Sequence, residues 1–223
     1  MTVTHERLST RRDDAPASGP GPSAERSVSV ALLAGLVARA QTGDRAALRG
    51  LLMAVAPVVA RACRRVLGHG NPDLDDVAQH ALTGFIQRLR FFRGDSSIAH
   101  FAERIAVYRA LTWRRDVGVR LRMTVPVPPD ELDTTPDGSP APDAEVSASR
   151  VRAALLTAMD ALPPAQAEAL ALHFLFDHTV AEIAAMVDCP EETVRSRLRL
   201  GKRTLRARIS RDSRLALLRE VLA

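Results

Sequence analysis

Between Met123 and Ser149 the chain carries six prolines and six carboxylates, and neither lysine nor arginine. Proline supplies no amide donor for a helix or a sheet ladder. The unbalanced charge of Asp130, Glu131, Asp133, Asp137, Asp143 and Glu145 favours an extended chain. A segment of this kind separates the chain into two parts that fold on their own cores. Residues 1–28, rich in Pro, Gly, Ser, Thr and charge without periodicity, bury too little to offset their ordering entropy and read as a disordered tail. The predicted organisation is therefore a tail over 1–28, a domain over 29–122, an acidic linker over 123–149, a second domain over 150–211 and a C-terminal tail over 212–223. In the last segment Leu215, Leu218 and Leu222 have the spacing of a short extra helix.

Both flanking segments carry a helical period. Leu32, Leu33, Leu36, Val37 and Ala40 repeat at 3.6-residue spacing until Gly43-Asp44. Further helices are predicted over 46–56, 57–68, 73–90, 95–118, 150–162, 164–176, 180–187 and 191–209. No useful strand-like alternation occurs, so the fold class is all-α, two small helical domains on a flexible acidic linker. The longest apolar run, Gly50 to Ala60, is interrupted by Pro57 and falls short of the about 18 residues of a membrane span. The first residues carry no hydrophobic block of a secretory signal, so membrane insertion is not expected and a cytoplasmic location is. Cys63 and Cys189 lack zinc-site spacing and read as free thiols.

The second domain contains a helix-turn-helix. Thr179-Val-Ala-Glu182 is a capping box that opens one helix. Asp188-Cys189-Pro190 ends it and starts the next, with Glu191 and Glu192 at the positive end of that second helix. Val194, Leu198, Gly201 and Leu205 define its packed face. Arg195, Ser196, Arg199, Lys202, Arg203 and Arg206 occupy the other, and Glu191 to Arg211 holds eight basic residues against two acidic. Arginine binds guanine edges in pairs of hydrogen bonds or phosphates singly, and such a helix fits the major groove.

The first domain differs in its aromatics. Phe85, Phe91, Phe92, Phe101, Tyr108 and Trp113 are six of the eight in the chain, within 29 residues, and Arg88 to Arg122 holds nine arginines against three acids. Rings stack on unpaired bases while arginines follow the phosphates, which suits single-stranded nucleic acid. The loop Phe91-Phe92-Arg93-Gly94-Asp95-Ser96-Ser97 offers groups that could hydrogen-bond an extruded base, whereas Phe85, Phe101 and Trp113 read as core. Upstream, Asp73, Asp75 and Asp76 favour a helix start, and Asp76, Gln79 and His80 share a face suited to a protein partner. A metal or acid-base enzyme using Asp75, Asp76, His80 and His100 would need a second ligand pair at helical spacing. No catalytic residue, metal site or cofactor is assigned.

Together, GDRAAL (43–48), DLDDVAQHALTGFIQRL (73–89), FRGDSSIAHFAERIAVYRAL (92–111), ALPPAQAEALALHFLF (161–176) and TVAEIAAMVDCPEETVRSRL (179–198) resemble, in that order, a bacterial RNA polymerase sigma factor of the extracytoplasmic-function (ECF) group. The resemblance covers about residues 32–210. It implies a non-enzymatic polymerase subunit, with Asp75, Asp76 and Gln79 docking on the largest core subunit. It also implies that the stretch containing Phe92, Arg93, Asp95, Ser96, Ser97, His100, Arg104, Arg109, Arg114 and Arg115 captures the melted strand of the minus-ten element. Thr193, Arg195, Ser196, Arg199, Lys202 and Arg203 would read the duplex minus-thirty-five element. The linker would thread toward the polymerase active-site cleft and RNA exit path, the largest and second-largest core subunits are the implied partners, and an anti-sigma protein is the implied inhibitor. Phe101, Tyr108 and Leu200 depart from residues frequent in the family. A helix-turn-helix regulator acting without core polymerase would use residues 160–210 equally but leave the aromatic, arginine-rich segment idle.

Overall fold

A computed structural model describes the backbone over residues 22–124 and 143–211, and side chains over 32–118 and 150–211. Eight α-helices and no strand occur among the described residues: α1 Pro22–Gln41, α2 Arg45–Leu67, α3 Leu74–Leu89, α4 Ile98–Thr124, α5 Asp143–Met159, α6 Pro164–Phe174, α7 Val180–Val187 and α8 Glu191–Arg211. The all-α expectation holds. α1 starts at Pro22, so residues 22–28, assigned above to the tail, are helical, with proline in the first turn where its missing amide costs nothing. Both ends of the acidic segment are helical too, within α4 to Thr124 and within α5 from Asp143. The rest of that segment, and the proposed helix after Arg211, lie outside the described residues.

The first four helices form one bundle. α2 is capped by Asp44, whose carboxylate accepts from the Ala46 and Ala47 amides at 2.8 and 3.0 Å. Those amides and the Arg39 guanidinium hold its carboxyl below the ordinary range. The predicted break at Pro57 is absent: α2 is one helix of 23 residues. The carbonyl that Pro57 leaves without a donor belongs to Met53, which is exposed, so water can satisfy it, while Val55 and Val59 on either side are fully buried. α2 is long and apolar enough to cross a membrane by length and composition. Its apolar stripe, Leu51, Val55, Val59, Ala62 and Val66, instead lies in the bundle core with Phe85 of α3 and Ala106 and Ala110 of α4. Cys63 is buried there, and desolvation pushes its thiol up to about 12, which makes it unreactive.

In the second group, α6, α7 and α8 pack around Leu170, Leu172, Ile183, Met186, Val194, Leu198 and Leu205. Gly201 marks the closest approach. A Cβ there would lie 2.7 Å from Leu170 Cδ1 and 3.2 Å from its Cγ, and Leu170 is itself fully buried with nowhere to move. Gly201→Val is expected to destabilise the protein by about 2 kcal/mol through overpacking, despite leaving a glycine-free helix. Thermal unfolding checks it, and pairing the change with Leu170→Ala should recover part of the loss if α6–α8 contact is the cause.

Candidate nucleic-acid interface

The helix-turn-helix is built from local signals. The Thr179 hydroxyl accepts from the Glu182 amide at 3.2 Å, and the Glu182 carboxylate accepts from the Thr179 amide at 2.8 Å, completing the capping box. α7 ends at Asp188, which takes left-handed geometry (φ 50°, ψ 57°). Pro190 directly precedes α8 rather than opening it, and its carbonyl accepts from the Thr193 and Val194 amides. Val194, Leu198, Gly201 and Leu205 are buried, as the spacing predicts, and Ile209 extends the same face.

The opposite face is not uniform. Arg199 and Arg203, one turn apart, are exposed. Arg195 is paired with Glu191 and Glu192 on its own helix. Lys202 lies with its ammonium 4.9 Å from the Phe174 ring centroid, and Thr193 and Ser196 are half-buried near the start of α8. Arg199 and Arg203 are therefore the cations held out most freely for a duplex.

At the other candidate surface, Gln41 at the end of α1 donates to the carbonyls of Leu89 and Phe92 at 2.9 and 3.0 Å, fixing the entry to the 91–97 loop. Phe92 turns inward onto Phe101, with ring centroids 5.0 Å apart, and Phe101 meets the buried Phe85. Phe91 is the ring that faces solvent, 65% exposed, with the Arg90 guanidinium 4.5 Å from its centroid. The sequence favours Phe92 for the melted strand; adjacent aromatics leave the choice to tertiary packing. Arg93 and Asp95 are exposed and Ser96 is half-buried. Ser97 caps α4 by accepting from the His100 amide at 3.0 Å.

Along α4 the candidates divide by face. Arg109 lies against α3, its Nε buried near Gly84, and Arg115 is half-buried. His100, Arg104 and Arg114 face the second group of helices. Arg104 donates to Glu168 Oε1 at 3.1 Å and to the Met186 carbonyl at 3.0 Å. Arg114 makes a two-point bond to Asp160 at 3.2 and 3.0 Å. Glu103, next to Arg104 in the chain, meets His178 Nε2 at 2.6 Å. Arg93 and Asp188 add a 4.0 Å pair at the rim. Part of the α4 arginine surface is thus occupied by carboxylates of the other half. Glu103, Asp160, Glu168 and His178 escape the sequence reading because pairing across 46 to 75 positions leaves no periodic trace.

On α3, Asp75, Asp76, Gln79 and His80 are all exposed or half-buried at its solvent side. Asp75 and Asp76 lie in the first turn, where the helix dipole favours them without consuming them. His80 and His100 are not brought together with them into a ligand cluster.

A family model for Sigma-70 region 2 matches residues 51–119, and one for Sigma-70 region 4 matches residues 152–205. Over 168 residues the chain is 31% identical to the ECF RNA polymerase sigma-E factor of Escherichia coli strain K12, covering 73% of this chain and 86% of that protein. The chain belongs to the ECF sigma factor family. The sigma-E factor of Haemophilus influenzae is 28% identical over 174 residues, covering 73% of this chain and 87% of that one. Among solved structures, the sigma factor RpoE of Bartonella quintana, in complex with the anti-sigma factor NepR, gives a TM-score of 0.43 at 17% identity over 74% of this chain and 97% of that chain. As an ECF sigma factor the protein directs core RNA polymerase to promoter DNA for transcription initiation. Its region 2 match coincides with α2 through most of α4, and its region 4 match with α5 through most of α8.

Proposed function

We propose that this ECF sigma factor is a non-enzymatic, cytoplasmic specificity subunit whose two cationic surfaces divide the promoter between them. Arg199 and Arg203, with Thr193, Arg195, Ser196 and Lys202, read the upstream duplex. Arg93, Asp95, Ser96 and the α4 residues His100, Arg104, Arg109, Arg114 and Arg115 hold the melted strand, with Phe91 as the stacking ring beside Phe92. Asp75, Asp76 and Gln79 dock on core polymerase. An anti-sigma protein is the inhibitory partner in this reading, as the family resemblance implies.

The observation that carries the division is the difference between the surfaces. The α8 face presents exposed arginines, and the ring at its edge, Phe174, carries the Lys202 ammonium over it, which suits phosphates and base edges of a duplex. The 91–97 loop presents an exposed ring and an exposed arginine together, which suits unpaired bases. Because His100, Arg104 and Arg114 are engaged by the second half, promoter opening requires the halves to part. Each base taken from the stack costs a few kcal/mol, offset by ring stacking and arginine contacts that exist only with the melted strand.

Run-off transcription with purified core polymerase tests this reading. Addition of the full chain is expected to yield discrete transcripts from promoters of its own genome and none without it. Operator binding by the chain alone, with no effect of core polymerase, would instead indicate an independent helix-turn-helix regulator.

A further inference from the structure

One cluster of potential ligands lies where the two halves meet. His100 is in the first turn of α4, His178 immediately precedes the cap of α7, and Glu182 is the third residue of α7. One ligand atom from each lies within 4.8 Å of the others. The imidazoles of His100 and His178 meet edge to face, with centroids 4.9 Å apart. His178 and Glu182 supply the second ligand pair that a metal site at His100 requires.

We propose that His100, His178 and Glu182 form a site for a divalent transition-metal ion of the zinc class, which ties the two halves of the chain together. Two imidazoles and a carboxylate are a ligand set that zinc accepts, with a fourth position open to water. A tetrahedral ion with bonds of about 2.0–2.2 Å brings its ligands to about 3.3 Å of one another. The ligand atoms, now within 4.8 Å of one another, would have to close on the ion, and Glu182 is exposed and His100 half-buried. His178, by contrast, is buried and already oriented. Its Nε2 is held by Glu103 at 2.6 Å, the carboxylate-histidine pairing that fixes a metal-binding imidazole and raises its basicity, leaving the second ring nitrogen for the metal.

Glu182 can ligate without losing its structural task. The Thr179 amide and hydroxyl are both bonded to Oε2, so Oε1 remains for the metal. Since His100 comes from α4 and the other two ligands from the second half, an ion there stabilises the arrangement in which Arg104 and Arg114 are occupied. On the promoter reading given above, metal binding therefore opposes initiation.

The test is a titration of the metal-stripped full-length chain with Co²⁺, followed by visible absorption, and then displacement by Zn²⁺. One equivalent is expected to bind with the absorption of a tetrahedral site. Glu182→Gln and His100→Gln should each weaken binding by more than about 10-fold, since losing a ligand costs at least as much as losing a group that orients one. Glutamine preserves the capping box, so Glu182→Gln keeps the fold. Zn²⁺ should raise the melting temperature of the parent and not of this variant. Absence of the cobalt spectrum, or undiminished binding in both variants, overturns the site. The binding arm does not involve polymerase, so it stands or falls apart from the promoter reading. For the regulatory consequence, Zn²⁺ is expected to inhibit initiation by the parent more than by Glu182→Gln; equal inhibition overturns that consequence.

Discussion

Replacing both Arg199 and Arg203 with Glu is expected to reduce promoter-directed transcription by at least about 100-fold while leaving core polymerase binding unchanged. The two side chains project from the solvent face of α8 one turn apart, and the helix is held from behind by Val194, Leu198, Gly201, Leu205 and Ile209. Neither change therefore touches the packing of the domain. A base-edge or phosphate contact from arginine contributes on the order of 1–3 kcal/mol, and reversing the charge adds repulsion from the DNA backbone. Two such losses make about two to four powers of ten. Fluorescence anisotropy with holoenzyme and duplex promoter should show the same loss, with a shallower dependence on salt because fewer counterions are released. Arg195→Ala should cost much less, since Glu191 and Glu192 already engage that guanidinium.

The second large effect concerns the contact between the halves. The double variant Glu168→Ala/Asp160→Ala is expected to shift the free chain from closed to open by about 10- to 100-fold. Glu168 is buried with its side chain only 8% exposed, and its partner Arg104 is one-third exposed. The Arg114–Asp160 pair is sheltered on both sides. In the open chain all four groups recover water, so the variants penalise only the closed form. There, Arg104 and Arg114 each lose a charge-assisted partner, at about 1 kcal/mol apiece after allowing for partial exposure. A rise in radius of gyration by small-angle scattering, and faster association with core polymerase, are the expected readings. An unchanged radius would mean that these pairs do not hold the halves together.

Much of the second half is legible in the sequence because its signals are local. A threonine and a glutamate three residues apart, then Asp188 before Pro190, fix α7, the turn and the start of α8 without reference to anything distant. The period of Val194, Leu198, Gly201 and Leu205 assigns the buried face in the same way. Pro57 misleads for a physical reason: it removes one donor, but the orphaned carbonyl is on the wet side of a helix whose other face is fully buried. The sequence favours Phe92 over Phe91 for the strand, but the position of Phe101 decides which ring turns inward, and it takes Phe92. The pairing of Arg104 with Glu168, of Arg114 with Asp160 and of His178 with Glu103 has no sequence signature, because it depends on two helical groups meeting. The same holds for the meeting of His100 with His178 and Glu182.

The division of labour is tested most directly by comparing initiation on a fully duplex promoter with initiation on the same promoter pre-opened across the minus-ten region. Two variants are needed, Arg199→Glu/Arg203→Glu on α8 and Phe91→Ala/Arg93→Ala in the loop. Pre-opening removes the cost of unstacking, so the loop variant should be strongly impaired on duplex DNA and largely restored on the opened template. The α8 variant should remain impaired on both, because its duplex contacts lie upstream of the opened region. Equal rescue of the two variants, or rescue of the α8 variant alone, would contradict the assignment of duplex to one surface and melted strand to the other.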